Sequence, residues 1–143
     1  MLCELLIPAG FVLAIDQVSK KLMFERLGQL RPSRSDVGWK PRLRPLLNTT
    51  IALGLVRDRR ALVILWGLAA LGTIVSIFHA AVFHAWAARV GFGAALGGAT
   101  SNLIDWLRLG AIVDFIDLRI WPVFNLADVF IVLGIGVVLW SVW

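Results

Sequence analysis

The chain has 143 residues, of which 59% are hydrophobic and only 16% charged, with a mean hydropathy of +0.85. Soluble domains usually contain about 45–50% apolar and about 25% charged residues, so a water-facing globule of this size could not bury these side chains. The same apolar content excludes a disordered chain. The single cysteine, Cys3, excludes an intramolecular disulfide framework and a cysteine-based zinc site. The composition therefore predicts a single integral membrane domain over residues 1–143.

Four apolar segments are long enough to cross a membrane, which takes roughly 20 mostly apolar residues. They lie approximately at 5–22, 61–78, 90–107 and 124–143. We therefore predict an all-α membrane protein with four transmembrane helices. We do not expect the first segment to be a cleaved signal peptide, because its front end is acidic at Glu4 and no clear small-residue cleavage site follows.

The long connection between the first two segments holds most of the positive charge. Eleven of the fourteen Lys and Arg residues lie between Lys20 and Arg60. This stretch lacks the interleaved aromatic residues of a nucleic-acid site, so we interpret it as a solvated region that meets anionic lipid headgroups. The apolar and β-branched residues at 46–56 are typical of short strands. We predict a small β-rich extramembrane cradle over residues 27–58 and no binding of nucleic acid.

Polar side chains gather at one side of the predicted bundle. With four crossings of the membrane, the end of the first helix, the end of the third and the start of the fourth lie on the same side of the membrane. The loops before the second and fourth helices open on that side as well. The polar residues of these parts include Asp16, Lys20, Asn48, Asn102, Asp105, Asp114, Asn125 and Asp128. Carboxylates inside a membrane segment cost about 2.5–3.5 kcal/mol each on insertion scales, so they usually face the bundle interior and serve a function. The four crossings therefore predict that these polar residues form a single functional site.

The spacing of the polar residues supports one shared site. Asn102 and Asp105 are three residues apart, so they lie on one face of their helix. The same spacing separates Asn125 from Asp128. Asn125 also suits the N-cap of the fourth helix, and the sequence does not choose between a structural and a functional interpretation of this residue.

The residue types of this site favour carboxylate chemistry. Both histidines fall on the far side, no HExxH or paired-cysteine motif is present, and Lys20 and Arg108 argue against a tight metal site. We expect no metal and no cofactor. Two close aspartates in a low-dielectric site share one proton, so one can activate water while the other polarises a carbonyl, as in aspartic proteases. Asp128 has two candidate partners, Asp114 and Asp105, and spacing does not choose between them.

Five motifs in chain order resemble those of the lipoprotein signal peptidase family, also called signal peptidase II. The motifs are DQVSK at 16–20, NTTIALG at 48–54, GGA at 97–99 followed by NLID at 102–105, VDFID at 113–117 and FNLAD at 124–128. The resemblance covers essentially the whole chain. The family consists of aspartic proteases of the bacterial plasma membrane.

The resemblance implies that Asp114 and Asp128 are the catalytic pair. It implies a supporting and substrate-contacting shell made of Asp16, Lys20, Asn48, Asn102, Asp105 and Asn125. It also implies an endopeptidase that cuts prolipoproteins just before their diacylglyceryl-modified cysteine. We accordingly expect prolipoproteins and membrane lipids as partners, a monomer, and a multi-pass protein of the inner membrane with its site at the outer face.

Three features depart from the family pattern. Trp106 stands where the family has Arg, and Thr50 stands where it has Gly. Thirteen of the fourteen basic residues lie on the side of the site, so the positive-inside rule alone would invert the molecule; we keep the family orientation. Trp106 leaves open a divergent paralogue that cleaves another membrane-embedded substrate. A non-catalytic binding or ion-translocating bundle is the remaining alternative, although few polar residues occupy the far halves of the segments.

Overall fold

The computed structural model describes residues 2–27, 42–49, 64, 66–68, 70–72, 85–141 and 143. In chain order they form helix α1 (Leu2–Leu27), strand β1 (Arg42–Asn48), helix α2 (Trp86–Leu109), strand β2 (Ile112–Asp117) and helix α3 (Leu126–Ser141). Residues 64, 66–68 and 70–72, inside the second predicted segment, are also helical. The chain is thus mostly helical with a small sheet. The remainder of segment 61–78, most of the predicted cradle and Thr50 lie outside the described residues.

The three long helices differ from the predicted segments mainly at their ends. Helix α1 runs well beyond 5–22, because Asp16 and Lys20 interrupt the apolar run but are buried and paired inside the bundle. Helix α2 ends at Gly110, whose left-handed φ of 68° is typical of a residue that terminates a helix. Helix α3 begins two residues after the predicted start, because Asn125 precedes it as a cap.

Helix α1 meets the requirements for a membrane-spanning segment. Its stretch Leu2–Arg26 has 25 residues, and an 18-residue window within this stretch has a mean hydropathy of 1.6. It is the only helix within the described ranges that is both long and apolar enough, and α3 is apolar but shorter. The outer faces of both helices carry exposed apolar side chains, which suit a lipid environment. Examples are Leu6, Ile7 and Phe11 on α1, and Ile135, Leu139 and Trp140 on α3.

Helix α2 packs closely against both neighbours through glycines. A Cβ atom at Gly97 would collide with the backbone oxygen of Ala9 in α1. On the other face of α2, a Cβ atom at Gly98 would lie 2.6 Å from the backbone oxygen of Ala127 in α3. The absence of a side chain at these positions lets the helix backbones touch, as small residues do in other membrane bundles. This close approach sets the distance between the polar residues that the three helices carry.

The two strands form one antiparallel sheet from distant parts of the chain. Leu46 of β1 pairs with Asp114 of β2, and Asn48 pairs with Ile112. We predicted β-structure within 27–58 and a loop before the fourth segment, and the structure places the second strand of the sheet in that loop. The two aspartates of β2 interrupt its apolar pattern, and its pairing partner lies far away in sequence, so no local signal marked the strand.

Candidate active site

The structure brings all eight predicted site residues together, where the second half of α1, the end of α2 and the start of α3 meet the sheet. Six of them are buried, with at most 6% of the side chain exposed: Asp16, Lys20, Asn102, Asp105, Asp114 and Asn125. Asn48 and Asp128 are half-buried. The grouping that four crossings predicted is therefore present in the described part of the chain.

Asn125 connects the two aspartates that the motifs single out. Its Nδ2 donates to Oδ1 of Asp114 at 2.8 Å, and its backbone N–H donates to Oδ2 of Asp128 at 3.2 Å. Its Oδ1 accepts from the backbone N–H of Asp128 at 3.0 Å. The reciprocal pair of bonds between Asn125 and Asp128 is a capping box at the start of α3. One residue is thus both the helix cap and the link between two carboxyl groups.

Each of these carboxyl groups accepts a second hydrogen bond from another asparagine. Asn48 Nδ2 donates to Oδ2 of Asp114 at 2.9 Å, and Asn102 Nδ2 donates to Oδ1 of Asp128 at 2.9 Å. Asn125 Nδ2 also donates to Oδ1 of Asn102 at 3.0 Å. The carboxyl groups are therefore held by amides on three separate parts of the chain, and no cation of the described residues is in direct contact with them.

The environment of Asp114 favours its protonated form. Burial raises the pKa of Asp114 from the usual 3.8 to about 6, and the nearby charge of Asp128 acts in the same direction. The hydrogen bonds from Asn48 and Asn125 and the charge of Lys20 oppose this rise in pKa but do not cancel it. A carboxyl group that keeps its proton to about pH 6 can donate a hydrogen bond beside a second carboxyl group.

The raised pKa of Asp114 makes a prediction about stability. Because the folded-state pKa lies above the unfolded one, the folded chain holds more protons between about pH 4 and pH 6, and stability falls as the pH rises through this window. The full loss above pH 6 is about 3 kcal/mol for a shift of about two pKa units. Asp114→Asn lacks this loss, so its stability relative to the wild type should improve from pH 4 to pH 7.

Unfolding of both proteins in detergent, followed by tryptophan fluorescence at several pH values, measures this difference. A difference in unfolding free energy that stays constant from pH 4 to pH 7 would show that Asp114 titrates as it does in the unfolded chain.

Lys20 lies at the centre of a buried ionic cluster behind the two carboxyl groups. Its Nζ contacts Oδ2 of Asp16 at 2.6 Å, Oδ2 of Asp105 at 2.7 Å and Oδ1 of Asn102 at 2.9 Å. Asp105, the rival partner for Asp128, is thus bound to a cation, whereas Asp114 shares Asn125 with Asp128. The two candidates that spacing left open therefore have different hydrogen-bond partners in the structure.

Two residues of the cluster are not among the eight predicted site residues. Gln17 Nε2 donates to Ser101 Oγ at 2.9 Å and to Oδ1 of Asp105 at 2.7 Å. Ser101 Oγ donates to Oδ2 of Asp16 at 2.6 Å. Helical spacing is the signal that could have identified them, because Gln17 lies three residues before Lys20 and Ser101 lies four before Asp105.

A cavity of about 700 Å³ opens beside the two carboxyl groups. Its described polar lining consists of Asn48, Asp114 and Asp128. The remaining described wall is apolar and comes from Ile112, Leu118, residues 121–124 and the first turns of α3. Of the six residues predicted to support or contact a substrate, Asn48 alone lines this cavity within the described ranges. No group of His, Cys, Asp or Glu in these ranges is arranged to hold a metal ion.

Trp106 is buried in an apolar cluster behind the site rather than in the cavity wall. It packs with Leu103 and Ile112, and Trp66 lies against the same cluster. The indole N–H of Trp106 has no hydrogen-bond partner within the described ranges. Because this side chain does not line the cavity, its presence gives no support to a changed substrate. Arg108, two residues further on, is exposed.

Two solved bacterial membrane enzymes have the same fold as this chain. One, determined by the in meso method at 2.3 Å resolution, superposes with a TM-score of 0.77 and 22% identity over 95% of this chain and 85% of that one. The other, determined at 1.9 Å resolution, gives a TM-score of 0.74 and 24% identity over 95% and 90% of the two chains. The architecture is therefore that of a class of membrane-embedded enzymes.

Comparison of the sequence with known proteins identifies the family. Residues 9–143 match the signal peptidase (SPase) II family. The chain is 37% identical to the lipoprotein signal peptidase of Moorella thermoacetica, over 95% of this chain and 90% of that protein. It is 33% identical to that of Halothermothrix orenii, over 92% and 90%. The chain belongs to the signal peptidase II family. It is therefore a peptidase, and the alternative of a non-catalytic bundle is wrong.

Proposed function

We propose that this protein is an aspartic endopeptidase that removes signal peptides from lipid-modified prolipoproteins, cutting just before the diacylglyceryl cysteine. The observation that carries the proposal is the pair Asp114 and Asp128, which share Asn125 and face one cavity. The relatives named lipoprotein signal peptidase support the choice of substrate. The apolar wall of the cavity suits the hydrocarbon of a lipidated substrate.

The two carboxyl groups have different roles in hydrolysis. The ionised group removes a proton from a water molecule, whose oxygen then attacks the carbonyl carbon of the scissile bond. The protonated group donates to the carbonyl oxygen as it gains negative charge. As the tetrahedral intermediate collapses, the carbon–nitrogen bond breaks and the nitrogen receives a proton from the pair. The products are a carboxyl terminus on the signal peptide and a free amine on the lipidated cysteine.

We propose that the protein is a multi-pass monomer of the bacterial inner membrane, with four spanning helices, a cradle between the first two and its site at the outer face. The outward apolar surfaces of α1 and α3 support immersion in lipid. Placement at the outer face brings the cavity to the membrane side from which exported precursors are processed. This orientation retains the basic region outside, against the bias of the positive-inside rule.

Cleavage of a synthetic prolipoprotein tests the proposed function. We expect the purified protein to cut the peptide that carries a diacylglyceryl cysteine, and to cut the unmodified peptide more slowly by about tenfold or more, because remote binding energy lowers the barrier to cleavage. Mass spectrometry should place the new amine on the cysteine. The control is the same lipidated peptide incubated with Asp128→Asn. Equal cleavage of both peptides, or a cut elsewhere, would overturn this substrate assignment.

A further inference from the structure

We propose that Lys20 is a positioning residue that holds both Asp114 and Asp128 in place through the three acceptors of its ammonium group. This inference rests on the proposed function, because it assigns Lys20 to the same reaction. Lys20 does not line the cavity, so its contribution is to the geometry of the pair and not to contact with a substrate.

The ammonium group of Lys20 has no hydrogen-bonding capacity left over. It has three N–H donors and three acceptors, which belong to Asp16, Asp105 and Asn102. Only 4% of the Lys20 side chain is exposed, so water does not replace a lost partner. The position of the nitrogen therefore fixes three side chains, on α1 and α2, relative to one another.

Each of these acceptors contacts the pair itself or the residue just before one of its members. Oδ1 of Asp16 accepts from the backbone N–H of Ala127, the residue before Asp128, at 2.8 Å. Oδ2 of Asp105 accepts from the backbone N–H of Val113, the residue before Asp114, at 3.3 Å. The two carboxylates bound to Lys20 thus hold the backbone next to Asp128 and next to Asp114.

The third acceptor, Asn102, bonds to the pair directly. Its Oδ1 accepts from Lys20 and from Asn125, which leaves its Nδ2 to donate to Oδ1 of Asp128. An amide turned the other way would set its oxygen against the Asp128 carboxyl group and its N–H donors against the ammonium group. Lys20 therefore determines which end of the Asn102 amide faces Asp128.

The kinetics of Lys20→Met on the lipidated peptide test this role. We expect kcat to fall by about 100-fold, since a misplacement of about 1 Å in a reacting group has an effect of that size, while KM stays nearly unchanged. The matched control is Lys21→Met, because Lys21 is the neighbouring lysine, with 76% of its side chain exposed, and pairs only with Glu25 within the described ranges. This control should keep the wild-type kcat and KM.

Two further variants keep the test decisive if Lys20→Met does not fold. Lys20→Met combined with Asp105→Asn removes one positive and one negative charge, so the cluster keeps its original net charge. Compared with Asp105→Asn alone, the folded double variant should have a lower kcat. Lys20→Arg keeps the charge, but its planar guanidinium cannot direct donors at the same three acceptors, so kcat should also fall.

Several outcomes would overturn the positioning role of Lys20. A folded Lys20→Met variant with the wild-type kcat would do so, and so would a folded double variant with the kcat of Asp105→Asn. A rise in KM at constant kcat would also do so. Loss of folding in both, together with a fully active Lys20→Arg, would show that only the positive charge is required. The wild type and Asp128→Asn are assayed alongside: an inactive wild type or an active Asp128→Asn would count against the proposed function instead.

Discussion

Asp114→Asn and Asp128→Asn are each expected to reduce cleavage of a lipidated precursor by about 10²–10⁴-fold while the protein stays folded. The amide keeps the size of the carboxyl group but can neither take a proton from water nor deliver one. The two carboxyl groups are linked through Asn125 and face one cavity, so neither can replace the other. Initial rates across the pH range measure the effect, because loss of a proton carrier lowers the rate at every pH.

Asp117→Asn is the matched control for these two variants. Asp117 is a buried aspartate of the same strand as Asp114, but it does not line the cavity, and its Oδ1 accepts from the backbone N–H of Arg119 at 2.9 Å. We expect this variant to keep most of its activity. A folded Asp114→Asn that cleaves as fast as Asp117→Asn would remove Asp114 from the catalytic pair.

Gly97→Ala is expected to lower the free energy of unfolding by about 1–3 kcal/mol, the usual cost of an overpacked interior. The added methyl group would meet the backbone oxygen and Cα of Ala9, and backbone atoms cannot rotate away as a side chain can. Helices α1 and α2 would have to separate, which also stretches the bonds from Lys20 on α1 to Asn102 and Asp105 on α2. Activity should therefore fall together with stability.

Gly10→Ala is the matched control for Gly97→Ala. It replaces the glycine that follows Ala9, the residue of α1 that Gly97 contacts. Gly10 lies on the outer face of α1, and a Cβ atom there would have nothing within 4 Å in the described structure. Alanine favours a helix over glycine by about 1 kcal/mol, so this variant should be as stable as the wild type or more stable. Denaturant unfolding of the two variants in detergent gives the comparison. Equal unfolding midpoints would show that the α1–α2 contact tolerates a side chain at Gly97.

The location of the site was predictable from the sequence, because it follows from topology rather than from packing. Counting crossings was sufficient to place Asp16, Asn102 and Asp128 at one end of the bundle. The cap at Asn125 was also predictable, since a reciprocal hydrogen bond needs only three residues of spacing. The sequence left its structural and functional interpretations open, and in the structure one side chain makes both kinds of contact.

The contacts of the individual residues within the site were not predictable from the sequence. Strand β2 depends on pairing with a strand more than 60 residues earlier, and no local pattern carries that information. The choice between Asp105 and Asp114 depends on which carboxyl group the buried Lys20 contacts, which is a matter of helix rotation and depth. For the same reason, the sequence grouped the residues that support the pair with those that line the cavity.

The close contacts between the helices have a consequence for biosynthesis. Asp16 on α1 bonds to Ala127 at the start of α3, and Lys20 on α1 bonds to two side chains of α2. Because α3 follows α1 and α2 in the chain and carries Asp128, a nascent molecule with only these earlier helices inserted has no complete pair. If Asp114 and Asp128 act as proposed, proteolytic competence then appears only once α3 has docked.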